Sequence, residues 1–519
     1  MKTIINITAT VLALLLLASC GNLPEQPPSD VPESTTAGEA PVTAAAEDTD
    51  KTVRLPVCIN DSLDPFIAKT KQNTELAMLM YEPLIRLDKK FMPTPALAAD
   101  FVCADSQCVV RIREGAVFSD GSPVTPEDVI YSLQKARESE RLGGGLGNMA
   151  AVFPGEGNSV VITLAEPDIY FINLLDIPVI KSEIDEQTDN DRFVPPTGSG
   201  RYRFTNKDGA LKLRVNSKYN GGKKPGIKVI ELIDTPDDQS LMYRVTTDAL
   251  SAYYTDLSDG ELPRINGSLS YVNLNSLVFI GVNSTRAPLD SSYVRRALSL
   301  GIGRAEIAED AYFDSAAPAL SPFNPCWKLL DYKFPSSDQP DADAAMEDLS
   351  AEGFADPTPD GFLQRDGEAL ELTMLVNAEN SLRKTAAGKI QKALGGAGIK
   401  IILEEIKFSE YNERIAMGDF DLYLGEVMIS NNMDITPLLD PSSPAAKGVS
   451  GENLTLEKFR QLKSGQGKLS AVLDEFYNEY PFIPLVYRRG AFFLRPQLKK
   501  KPVATVSDIY YNIEKWKIK

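Results

Sequence analysis

No histidine occurs among the 519 residues, and that absence settles most of the chemistry open to this chain. It excludes Ser-His-Asp and Cys-His catalysis and every zinc site built on imidazole. Two Ser-x-x-Lys pairs remain, Ser132 with Lys135 and Ser381 with Lys384. The partner signatures of serine penicillin-binding enzymes are missing, and both serines fall in amphipathic helical patterns. Glu404 and Glu405 could serve glycoside hydrolysis only if both faced one bond. On a strand, neighbouring side chains point to opposite faces, so that pair cannot converge. Gly143-Gly144-Gly145-Leu146-Gly147 is glycine-rich but meets neither phosphate-binding spacing. No catalytic residue, metal site or cofactor is expected.

The cysteines suggest structure rather than reactivity. Cys103 and Cys108 flank Ala104-Asp105-Ser106-Gln107, which reads as a four-residue hairpin loop. Facing positions of an antiparallel pair lie within disulfide range, so a bridge between them is expected. Cys58, between Val57 and Ile59, reads as a buried apolar residue.

The elements that would position any site follow from periodicity and caps. A strand is expected over 53 to 60 and a helix over 74 to 81. Strand-rich sequence runs over 84 to 113. Asp120-Gly121 is a turn dipeptide. After it, Thr125, Pro126, Glu127 and Asp128 make a helix start with a cap, a first-position proline and acidic residues at the positive dipole end. That helix is expected over 125 to 141. Further on, a strand over 370 to 377, a helix capped by Ser381 and ended by Gly395-Gly396, and a strand over 399 to 406 form a βαβ unit with parallel strands. A helix over 410 to 417 and a strand over 421 to 426 follow. The second half is therefore an α/β domain.

The N-terminus carries Lys2, an apolar run over 11 to 17, and then Ala18-Ser19-Cys20. This is a secretory signal too short to span a bilayer comfortably, and Cys20 sits as in a bacterial lipobox. The lipobox resemblance implies removal of 1–19 and a diacylglycerol on the Cys20 sulfur, holding the chain at a membrane surface. Residues 22 to 50 hold five prolines and seven acidic residues, with no basic or aromatic residue. Such a segment cannot bury enough apolar surface to fold, and 20–50 reads as a disordered, lipid-anchored linker. Its reach is about 30 Å, on a scaling of ~5–6 Å times the square root of length. The net charge of −18 argues against nucleic acid as a partner. The run Lys499-Lys500-Lys501 reads as solvated surface.

Five ordered stretches carry a family resemblance. "VVRIREGAVFSDGSPVTPEDVIYSL" at 109 to 133 resembles the signature of the solute-binding proteins of peptide and nickel ABC importers, bacterial extracellular solute-binding protein family 5. "MYEPLIRLD" (80–88), "PTGSGRYRF" (196–204), "IGVNSTRAPLDSSYVRRALSLGIGRAEI" (280–307) and "PFIPLVYRR" (481–489) resemble further blocks of that family, in order. The resemblance spans about 52 to 519. It implies that the dense turn at 118–129 is scaffold.

It also implies an α/β, two-lobed fold like the periplasmic binding proteins, of type II in its large cluster C form, with an extra subdomain on lobe one. Lobe one would take 52–83, 196–282 and 487–519, the subdomain 84–195, and lobe two 283–486. The chain would cross between lobes near Val282 and Val486. The function implied is capture of an oligopeptide, or a similar small solute, for delivery to ABC permease and ATPase subunits by a monomeric, non-enzymatic protein on the extracytoplasmic face of the membrane.

In peptide-binding relatives the ligand adds as a strand between the lobes. Tyr81-Glu82-Pro83 matches one side of that pairing, and the segment after the strand at 421 to 426 the other. Two departures stand out. Pro83 has no N–H to donate, and the relatives' aspartate for the peptide amino terminus falls at Ser430, with Val427 at their tryptophan. Glu426 or Asp434 could replace that charge. Tyr253, Tyr254 and Asp256 offer flat apolar faces and a polar edge to a ligand. The ligand-contact set is thus Tyr81, Glu82, Tyr253, Tyr254, Asp256, Glu426, Val427 and Ser430. Alternatives remain open. Within the class, the ligand could be a sugar, an opine, a siderophore or a signalling peptide. Outside it, the chain could be a secreted carboxylate hydrolase or a non-transport sensor on the same fold.

Overall fold

The computed structural model describes residues 52–182, 195–258, 265–499 and 503–519. The expected signal segment, Cys20 and the expected linker lie outside the described residues, as do Lys500 and Lys501.

The expected first strand forms as Val53–Val57 and pairs in parallel with Val229–Asp234. Ala210–Val215 and Tyr202–Lys207 extend this four-stranded sheet by antiparallel pairing. Val53, Leu55 and Val57 are buried. They share a core with Leu76 and Leu79 of the helix Lys71–Met80 and with Trp516 near the other end of the chain. That helix begins three residues before the expected start. The Asp61 carboxylate accepts the backbone N–H groups of Lys69 and Thr70, at 3.0 and 2.7 Å, and so fixes the chain entering its first turn.

A second sheet runs in the order Ala98–Ala104, Gln107–Ile112, Ser159–Leu164 and Met149–Pro154. Cys108, Val110 and Ile112 point inward with the period of two that a one-sided sheet requires. Cys103 and Cys108 face each other across the hairpin and are disulfide-bonded. The turn is tighter than the four-residue loop expected. Ala104 pairs with Gln107, leaving only Asp105 and Ser106 between strands. Asp105 adopts φ 51°, a left-handed conformation that Asp tolerates better than most residues. Cys58 is buried and unbridged.

The helix Pro126–Glu138 follows the turn at 118–124. The Thr125 N–H and hydroxyl both donate to Asp128 Oδ2, at 2.9 and 3.0 Å. Asp128 Oδ1 accepts from the Ser182 N–H and hydroxyl. Thr125 and Asp128 are thus both engaged internally, as a scaffold requires.

A seven-stranded sheet holds the rest. Its order is Ala252–Thr255, Phe482–Leu494, Ser268–Val282, Leu422–Met428, Glu371–Asn377 and Lys400–Ile406, with Ala316–Pro318 also on Phe482–Leu494. The βαβ unit forms as read, with Glu371–Asn377 parallel to Lys400–Ile406. Its helix, Ser381–Gly396, is capped by Asn380 rather than Ser381, because Asn380 Oδ1 accepts the Arg383 N–H at 2.9 Å. It continues through both glycines to a cap at Ala397. The long strands Ser268–Val282 and Phe482–Leu494 pair antiparallel, with a break in register between Asn273 and Leu277. A third core joins Phe91 from the first part of the chain to Trp327, Phe459 and Phe482. Among the described residues no helix is long and apolar enough to cross a membrane.

Candidate functional site

The strand Ala252–Thr255 ends where the helix Lys71–Met80 begins, and a cavity of about 450 Å³ opens between them. That volume suits a small-molecule site. Tyr253, Tyr254 and Asp256 line it together with Lys71, Glu75 and Tyr510. The Lys71 ammonium lies 2.5 Å from Asp256 Oδ2 and 5.1 Å from the centre of the Tyr254 ring. Burial opposes ionisation of Asp256, but Lys71 and the Ser258 hydrogen bonds together outweigh it and hold the carboxyl below its usual range. Glu75 stands one turn beyond Lys71 on the same helix face. Burial pushes its carboxyl well above the ordinary range, with Lys71 opposing and Asp256 adding to the effect. Its Oε1 is shielded from solvent and has no hydrogen-bond partner.

Asp256 links this cavity to a charge cluster on the neighbouring strands. Arg488 Nη2 donates to the carbonyls of Asp256 and Leu257, at 2.8 and 2.6 Å. Arg488 Nη1 donates to Glu426 Oε1 at 2.9 Å. Ser276 donates to the same oxygen at 2.5 Å, and Arg383 Nη2 to Glu426 Oε2 at 3.0 Å. Burial would raise the Glu426 pKa, but Arg488, Ser276 and Arg383 together hold it below the usual value. Both carboxylate oxygens are therefore occupied by the protein's own donors. Asp434, the other acid considered for a peptide amine, is bound by Lys463 at 2.7 Å and by the Thr436 N–H. Neither acid stands free.

Val427 pairs with Leu277, and the Ser430 carbonyl accepts from Asn275 and the Met433 N–H. Leu422–Met428 pairs along its whole length with Ser268–Val282, whereas Glu371–Asn377 covers only Leu422 and Tyr423 on the other side. Among the described residues, no strand pairs with that second edge over 424 to 428.

Tyr81 and Glu82 turn their side chains inward, so the ligand pairing expected of this segment rests on its backbone alone. Tyr81 is wholly buried, its hydroxyl donating to the carbonyls of Leu63 and Pro196 at 3.3 Å. Glu82 is also buried, against Arg113 and the backbone of Gly221. Tyr81 closes the helix Lys71–Met80 as its C-cap, and Glu82 begins the short strand Glu82–Pro83, which pairs with Pro178–Val179. Ser132 is buried, bonded to Asp128 and Ile180, which removes its Ser-x-x-Lys pair from chemistry. Glu404 binds Arg414 while Glu405 binds Lys384, so these neighbours diverge as the strand requires.

Sequence reading missed Lys71, Glu75, Arg383, Arg488 and Tyr510. Arg488 lay in the block at 481 to 489, Arg383 within the Ser381–Lys384 pair and Glu75 in the helix expected over 74 to 81, but none was read as part of a site. It also missed a polar seam. The loop after Leu422–Met428 places Asn431 against Asp176, at 2.9 Å, and Asn432 against Asp168, at 2.8 Å. The Ser507 hydroxyl donates to the same Asp176 oxygen as Asn431. Asn173 donates to the Asn431 carbonyl at 3.1 Å.

Comparison with known proteins bears on this arrangement. The family described as bacterial extracellular solute-binding proteins, family 5 Middle, matches residues 92–448. The oligopeptide-binding protein AppA of Bacillus subtilis is 24% identical, covering 86% of this chain and 87% of its own. The murein tripeptide-binding protein MppA, in its unliganded open form, superposes with a TM-score of 0.74 at 18% identity, covering 90% of this chain and 97% of that one. A nickel ABC transporter structure from Bacillus halodurans gives a TM-score of 0.72 at 18% identity, over 90% and 99%. These likenesses establish the two-lobed, type II binding-protein fold.

Proposed function

The chain belongs to the bacterial extracellular solute-binding proteins of family 5, and from that premise we propose that it captures an oligopeptide between its lobes and delivers it to an ABC permease. Members of the family bind solutes for transport and are not enzymes. The proposal extends to a monomer held at the membrane through diacylglyceryl Cys20, with ATPase subunits reached through the permease. The lobes divide as 52–83 with 196–282 and 487–519, and 283–486, the subdomain being 84–195. In this reading the long strands Ser268–Val282 and Phe482–Leu494 carry the chain between lobes, and ligand shifts an open–closed balance about them.

The observation that carries the peptide reading is the edge over 424 to 428, near the tyrosine-lined cavity, which no described strand covers although the Tyr411 hydroxyl takes the Leu424 carbonyl. An extended backbone can add to such an edge while neighbouring pockets take its side chains. Native mass spectrometry of the purified chain with a mixed pool of di- to octapeptides tests this. Adducts at peptide masses are expected. Adducts only of another small molecule would move the ligand class, and cleavage of the pool would overturn a pure binding role.

A further inference from the structure

The cavity beside the strand Ala252–Thr255 already holds one ammonium, its own. Lys71 sits between a carboxylate and an aromatic face, at 2.5 Å from Asp256 Oδ2 and 5.1 Å from the Tyr254 ring centre. A ring face and a carboxylate converging on one cation are the elements of an amine site. Four carboxyl side chains line the cavity, Glu75, Asp237, Asp238 and Asp256, against the one lysine. Asp237 has a structural task, capping the helix Asp238–Thr246 through Ser240. Glu75 has none: its Oε1 lies out of solvent with no partner, on a residue that lines the cavity together with Tyr253, Tyr254 and Tyr510.

The lysine is not locked in. Its side chain is 40% exposed and that of Asp256 36%, so solvent and solutes reach the pair. Exposed ion pairs of this kind contribute little, about 0–1 kcal/mol. An incoming ammonium can therefore take the place of Lys71 at small cost. The neighbouring arginine does not compete, because Arg488 is spent on backbone carbonyls and on Glu426. Glu426 and Asp434, by contrast, are both satisfied by basic residues.

We propose that this cavity is the subsite for a free amino group of the ligand, with Asp256 and the Tyr254 face receiving the ammonium, Glu75 behind them, and Lys71 as a displaceable internal occupant. The inference rests on the peptide-capture reading and refines it: the ligand class is a peptide or similar solute with a free amine, held at Asp256 rather than after Leu422–Met428.

The test compares two lysine-free pools of tri- to hexapeptides, identical except that one is N-acetylated. Adducts on the full chain are counted by native mass spectrometry, and affinities of the strongest binders by calorimetry. The free-amine pool is expected to bind several-fold better, and Asp256→Asn to remove most of that advantage while its circular dichroism and melting point stay near wild type. The wild-type comparison stands even if the variant fails to fold. Equal binding of both pools would overturn the amine subsite and leave peptide capture intact. A preference for free amines unchanged in both Asp256→Asn and Tyr254→Leu would overturn its location. If neither pool bound to folded chain, the peptide reading itself would fall, and this inference with it.

Discussion

Arg488 binds the backbone of Asp256 with one nitrogen and the carboxylate of Glu426 with another. A single side chain on Phe482–Leu494 thus ties the cavity rim to the strand with the unpaired edge.

Glu426→Ala would leave Arg383 and Arg488 facing each other without their shared anion. Their side chains are 14% and 9% exposed, so solvent relieves only part of the cost. The expected loss of stability is below the ~3–5 kcal/mol of a fully buried pair, but well above a surface change. Urea denaturation of wild type and variant measures it. Glu426→Gln should lose less, since its carbonyl still accepts from one arginine.

Asp176 should give stability a pH dependence of unusual sign. Burial raises its carboxyl from 3.8 to about 6, against the pull of Ser507, Asn431 and Arg141. The folded state then holds a proton that the unfolded state releases between about pH 4 and 6. Stability from this group therefore falls as pH rises through that window and is flat above it. Two units correspond to at most ~3 kcal/mol at ~1.36 kcal/mol per unit. Thermal melts from pH 4 to 7 should show the slope, and Asp176→Asn should flatten it.

Glu75 leads to a pH effect on binding. Its raised carboxyl is protonated at low pH, and an ammonium beside it favours the ionised form. Affinity for an amine-bearing peptide should therefore rise with pH as Glu75 ionises. Lys71 and Asp256 face the same carboxyl, with Tyr253, Tyr254 and Tyr510 around it, and Asp238 lies beside Tyr253. In Glu75→Gln the rise should shrink several-fold while binding at low pH is kept. Calorimetry across the pH range distinguishes the two.

The Cys103–Cys108 bridge closes a loop of only six residues. By chain entropy such a short loop gives about 2 kcal/mol. Replacing both cysteines by serine should cost no more than that. Hydrogen exchange should place the loss in the sheet Ala98–Ala104, Gln107–Ile112, Ser159–Leu164 and Met149–Pro154, with little change around Glu426.

The helix Pro126–Glu138 and the βαβ unit at 371–406 were legible because their signals are local: caps, turn dipeptides and apolar period lie within a few residues. The same locality explains the misreadings. Nothing near Ser381 says that Asn380 wins the cap, and a two-residue turn depends on Asp105 tolerating a left-handed backbone. The cavity was half legible. Tyr253, Tyr254 and Asp256 are adjacent in sequence, but Lys71, Glu75 and Tyr510 reach them only through the packing of one core. The burial of the Tyr81 side chain was not legible for the opposite reason: the sequence marks its segment, while the carbonyls of Leu63 and Pro196 that take its hydroxyl come from distant parts of the chain.

Val53 and Trp516 lie in one core, and this sets an order of events during synthesis. The core that the first strand joins is not complete until residues roughly 460 positions later have been made, a wait of about 20 to 90 s at ~5–20 residues per second. Through that interval the nascent chain keeps its opening segment unfinished, so assembly of this half of the molecule is timed by its last-translated residues.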